Sequence, residues 1–211
     1  MVTKSIHDDM PELYKVLDKH GKPYHGGRGR AYEPGKKRRA VRGIHVCTIE
    51  QLPHWIGPAI YPVVRASEER IELPDKTVLR WVVLGEPFAT WNEHTMRLFA
   101  CDCAERLLHI FEQHCPGDSR PREAIAVARR YANGDATARK TALASAASWR
   151  AFKSVYPGPL TTLALDAAAA AAWVAVTETL PWTAVSLSRT NTAEREWQAE
   201  RLRQYLYGAA S

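Results

Sequence analysis

The stretch TVLRWVVLGEPFATWNEHTMRLF, from Thr77 to Phe99, changes its repeat midway. Thr77 to Leu84 is rich in β-branched and aromatic residues, which fit a pleated, half-buried surface and so mark a strand. From Asn92 onward the apolar residues Met96, Phe99, Cys103, Leu107 and Ile110 recur at helical spacing, as on one buried face of a helix. Asn92 is a ready N-cap, because its side-chain oxygen can accept from the first-turn amides. Between the two lies Glu86 to Trp91, EPFATW, which carries neither period and marks a boundary. The expected fold class is α+β. A small N-terminal sheet with one short helix occupies residues 1–88, and an all-α antiparallel bundle of about five helices occupies residues 89–211.

On the N-terminal side, four further strands are expected, at Leu13 to Leu17, Gly43 to Cys47, Ile60 to Arg65 and Arg70 to Leu73. Pro62 lacks an N–H for the ladder, which places the Ile60 to Arg65 strand at a sheet edge. Thr48 and Gln51 have capping-box spacing, so a short helix is expected there, interrupted by Pro53 and ended by Gly57-Pro58. Gly21 to Gly43 has no apolar period and is rich in Gly and basic residues. It reads as a long, partly mobile basic loop across the sheet face.

On the C-terminal side, helices are expected from Asn92 to about His114, from Asp118 or Ser119 to Asn133-Gly134, and from about Ala136 to Phe152. A fourth is expected at about Thr162 to Thr179, after the break Tyr156-Pro157-Gly158-Pro159, and a fifth from near Asn191 to Tyr207. Small side chains let helix axes approach closely, so Ala142, Ala146 and Ala147 are expected to face Ala167 to Ala172. Such a bundle has little room for a large internal cofactor pocket.

The chain has 211 residues, is 45% hydrophobic and 25% charged, and so has the composition of a globular protein rather than a disordered or collagen-like one. The longest apolar run, Ala167 to Val176, is too short to cross a bilayer. The N-terminal MVTKSIHDDM has no apolar core, and with four cysteines a reducing cytoplasmic location is expected. Net charge is +6, but Lys15 to Arg42 holds ten basic residues against Asp18 and Glu33, so the excess is concentrated there. Concentrated charge of one sign speaks of partners rather than of fold.

That segment supplies the candidate binding residues Arg28, Arg30, Lys36, Lys37, Arg38, Arg39 and Arg42, with Tyr24 and Tyr32 interleaved. Cations with aromatic rings suit an acidic protein surface, or phosphates and bases of nucleic acid. No recognition-helix or RNA-binding signature accompanies them. No metal is expected. Cys101 and Cys103, two apart on a helix, point about 200° from each other and cannot easily share an ion. His45 and Cys47 share a strand face and could form an activated pair, but the favoured account of Cys47 is the end of a packed strand. With no assembled catalytic set, no catalytic residue and no cofactor is assigned, and a binding role is favoured over an enzymatic one. The tail helix, with Trp197, Tyr205 and Tyr207, is expected to dock on its own bundle.

Two resemblances rest on these residues. YKVL (14–17), AYEPGK (31–36), RGIHVCTIEQLPHWIG (42–57), IYPVV (60–64) and PDKTVLRWVVL (74–84) resemble a domain family of unknown function found in phage, prophage and actinobacterial proteins. The KKRR after AYEPG departs from that pattern. WNEHTMRLFACDCAERLLHIFE (91–112), DSRPREAIAVARRYANGDA (118–136) and EREWQAERL (194–202) are similar to an Ala-rich helical family labelled "putative immunity protein". That second resemblance implies neutralisation of a toxin or defence factor by direct binding, with a protein as partner and no membrane. Nucleic-acid binding through the basic segment is the alternative. A weaker likeness of YHGG (24–27), RGIHVCT (42–48) and IYPVV to ADP-ribosyltransferases implies an NAD site at Tyr24, His25, Gly26 and His45. The downstream Glu of those enzymes has no counterpart here.

Overall fold

The computed structural model describes residues 12–26, 29–155 and 192–208. The chain divides into two compact units, Met1–Trp91 and Asn92–Ser211.

The first unit is an antiparallel sheet of five strands, β1 Tyr14–Leu17, β2 Lys37–Val46, β3 Ala59–Ala66, β4 Arg70–Leu73 and β5 Lys76–Leu84. Their order is β1-β3-β5-β2, and β4 also pairs with β5. Tyr14 and Cys47 exchange backbone hydrogen bonds of 2.8 and 3.0 Å, which brings β1 back to the end of β2 and curls the sheet. Inside it pack Leu13, Leu17, Ile44, Val46, Tyr61, Leu79, Val82 and Leu84.

Three expectations for this unit need correction. The strand expected at Gly43 starts at Lys37, so the second half of the presumed loop is ladder, paired Lys37 to Val83 and Arg39 to Trp81. Exposed cations hid the strand, because the apolar alternation begins only at Ile44. The ladder then resumes at Ile44 opposite Leu79, so residues 40–43 all stand against Arg80 alone. This wide bulge needs Gly43, whose φ is 82° and whose added Cβ would lie 2.3 Å from Val78 Cγ1. Second, β3 is not an edge strand but lies between β1 and β5. Pro62 is tolerated because its two neighbours ask little of it: Tyr14, opposite it on β1, directs both backbone groups to Cys47, and on the other side Pro62 O still accepts from Gly85 N at 2.9 Å, just past the end of β5, where only the return bond is missing. Third, the expected short helix is one 3₁₀ turn, Leu52–Trp55. Gln51 Oε1 does accept from the Thr48 amide at 3.1 Å, but Pro53 keeps the element to that single turn.

The second unit has four helices among the described residues, α1 Glu93–His114, α2 Arg120–Ala132, α3 Ala138–Val155 and α4 Thr192–Tyr207. Of the five expected, the one at 162–179 lies outside the described residues, as does the break at 156–159. Asn92 caps α1 in a capping box with Thr95. Burial on α1 is wider than a single stripe, with Phe99 through Ala104 all buried, so α1 is the central helix. Of the alanine face expected on α3, Ala142 and Ala146 are exposed and Ala147 is half-buried, the buried face being Thr141, Ser145, Ser148 and Ala151, while Ala167 to Ala172, expected opposite it, lie outside the described residues. Small size still governs the choice, and the Thr141 hydroxyl is satisfied locally by donating to Thr137 O at 3.0 Å. No described helix is long and apolar enough to cross a membrane.

Candidate functional site

Strand alternation divides the basic segment between two faces. Arg38 and Arg42 line a cavity of about 710 Å³ in the sheet unit. Arg39 lies in a separate groove with Arg65, Arg80, Glu68 and Glu69, where Arg80 makes a two-point pair to Glu69 at 3.1 and 3.2 Å. Lys37 sits over the Trp81 ring at 3.8 Å, and exposed Lys36 pairs with Glu33. Arg30 is exposed, and Arg28 lies outside the described residues. Tyr24 and Tyr32, interleaved with these cations in the sequence, line the cavity with Arg38 and Arg42. The segment is therefore not one continuous basic stripe.

The same cavity gathers Tyr24, His25, Gly26 and His45, together with Lys15, Trp55 and Lys76, which sequence reading does not single out. Lys15 is legible in principle as the one charge inside the apolar run LYKVL. Its ammonium donates to the His45 carbonyl at 2.7 Å and lies 5.9 Å from the Tyr32 ring centre. Burial holds its pKa down at about 8. Arg38 approaches the same ring from β2, with its guanidinium 5.6 Å from the ring centre.

His25 Nε2 lies 2.7 Å from Trp55 O and 3.0 Å from Ile56 O. Carbonyls only accept, so Nε2 carries the proton. Burial, with a smaller push from the Lys15 cation, lowers the His25 pKa and favours the neutral ring. His45 is lowered too, first by burial and then by Lys76 and Lys15. Cys47 is buried, donates Sγ–H to Tyr14 O at 3.6 Å, and has its pKa pushed up to about 12 by burial. A thiol so protonated is no nucleophile at neutral pH. No Asp or Glu is among the described residues lining the cavity. The geometry therefore brings together the four residues expected from the ADP-ribosyltransferase likeness, with no carboxylate among the described lining residues.

The helical unit has its own groove of about 910 Å³ along α1 and α4, lined by residues that include Arg106, His109, Trp197 and Gln204. The Arg106 guanidinium stacks 4.8 Å from the Trp197 ring centre and donates to buried Glu194 at 2.7 Å. The tail helix docks as expected, with Leu202 and Leu206 buried and the Tyr205 hydroxyl donating to Asp102 at 2.8 Å. Cys101 and Cys103 are both buried as thiols, and no cluster of three metal-ligating side chains occurs among the described residues.

The model of a family described as Imm-5 like putative immunity protein matches residues 86–205, more than half of the chain. The match covers α1 through most of α4 and leaves out the strands of the sheet unit. No curated protein and no solved structure matches the chain.

Proposed function

The chain belongs to the Imm-5 like putative immunity protein family, and on that premise we propose that it neutralises a toxin or defence factor by binding it directly in the cytoplasm. The observation that carries this reading is the coincidence of the family match with the helical unit. Binding energy at protein interfaces concentrates in a few aromatic and arginine anchors. The stacked pair Arg106 and Trp197, in a groove with exposed His109 on its wall, supplies such an anchor. Neutralisation by binding asks for a complementary surface and no bond-making machinery, which agrees with Cys47, Cys101 and Cys103 held as buried thiols. Division of the basic residues between two faces makes nucleic acid the weaker partner.

The test is co-expression with each candidate toxin encoded beside the gene. Rescue of growth, together with a stoichiometric complex of the purified pair on size exclusion, is expected. Trp197→Ala should weaken that complex at least tenfold. Absence of both rescue and complex, with stronger retention on DNA or RNA than on any protein, would reverse the choice of partner.

A further inference from the structure

We propose that the cavity of the sheet unit is a binding site for a mononucleotide-class ligand, a phosphate ester carrying a planar ring. The volume, about 710 Å³, is in the range of pockets that enclose small molecules. Four cationic side chains line it, Lys15, Arg38, Arg42 and Lys76, and no described lining residue is acidic. A cation withdrawn from water without a counter-charge is costly unless something else compensates it. The described partners of the Lys15 ammonium are one carbonyl and one ring face, neither of which carries a formal charge. A phosphate supplies what is missing and accepts from several donors at once.

The ring half of the ligand is argued from the walls. Tyr24, Tyr32 and Trp55 line the same cavity as the cations, and base–aromatic stacking is tolerant of which base is present. The bulge at residues 40–43 adds a second, independent feature. It brings Arg42 and Gly43 to the cavity wall, with Ala40 and exposed Val41 on the rim shared with the neighbouring groove, and bulges of this kind re-aim side chains beside binding sites. Lys15 titrates near pH 8, so an anion that holds it charged should take up protons on binding in mildly alkaline buffer.

The experiment is calorimetry on the full chain with AMP, adenosine and ribose 5-phosphate at pH 7. AMP is expected to bind at least tenfold more tightly than either fragment, and to weaken from pH 7 to pH 9.5. Lys15→Met and, separately, Arg38→Gln should each lower AMP affinity at least tenfold while circular dichroism stays unchanged. Should Lys15→Met fail to fold, Arg38→Gln decides alone. AMP binding no tighter than adenosine, or unchanged in the folded variants, overturns the proposal. The readout is independent of toxin neutralisation, so either reading can fail without the other.

Discussion

Arg201 Nε donates to Asp102 Oδ2 at 2.6 Å across ninety-nine positions of sequence. The same carboxylate oxygen accepts from the Tyr205 hydroxyl, and Asp102 Oδ1 faces Arg129 at 2.7 Å. One buried acid on α1 thereby ties α2 and α4 to the central helix. Removing one partner of such a set leaves buried charge uncompensated, whereas deleting a surface pair costs little. Asp102→Ala should destabilise the protein by about 2–3 kcal/mol, at or below the bottom of the range for fully buried pairs, because both guanidiniums keep partial solvent access. Urea denaturation checks it through the midpoint; a midpoint unchanged within error would mean the clasp carries no net stability.

The bulge in β2 gives a second expectation. Gly43 has φ 82°, and a Cβ there would collide with Val78 Cγ1 at 2.3 Å. Gly43→Ala combines backbone strain with overpacking and should destabilise by about 2–4 kcal/mol. Gly35, at φ 75° with nothing within 4 Å of an added Cβ, provides the control for strain alone. Thermal unfolding of Gly43→Ala and Gly35→Ala side by side separates the two contributions, and equal melting temperatures would remove the steric argument.

Lys15 couples stability to pH. Burial lowers its folded pKa to about 8 from a reference of 10.5. Between those values the unfolded chain binds the proton that the folded protein has released. Stability from this group therefore rises with pH across that window, and below pH 8 both states are charged. The cysteines act oppositely above about pH 9, so the difference between wild type and Lys15→Met isolates the effect. Wild type should gain on the variant from pH 7 to pH 10; parallel stability curves would count against a buried ammonium.

Thiol reactivity tests the placement of the cysteines. Cys47 and Cys101 are buried with pKa values pushed up to about 12, and Cys103 is raised well above its ordinary value by burial. Cys115 is only partly covered. Ellman's reagent at pH 8 should label Cys115 first, and the other three only after denaturation. Rapid labelling of Cys101 or Cys103 in the native protein would contradict the packing of α1, and rapid labelling of Cys47 the packing at the end of β2.

Local periodicity made most elements legible. The strand from Lys76 to Leu84, the four-residue β4, and the Asn92 cap of α1 all stand where spacing and capping chemistry put them. The misread pieces share a cause. Strand β2 opens with KRRAVRG, whose cations give no apolar signal, and it becomes a strand only because β5 offers a partner. Pro62 reads as an edge residue because its two strand neighbours, Tyr14 and Gly85, lie far along the chain, and only the fold shows how little each asks of its nitrogen.

The α+β class, the two-part division of composition and the helical character of residues 92–155 come from short-range pattern, because helix and strand periods are local properties of the chain. Which basic residues share a face, that Lys15 lies beneath them, and that a cavity opens there are consequences of strand pairing. The pairings of β1 with β3, of β2 with β5 and of Tyr14 with Cys47 join residues more than thirty positions apart, through hydrogen bonds and packing that no window of neighbouring residues encodes.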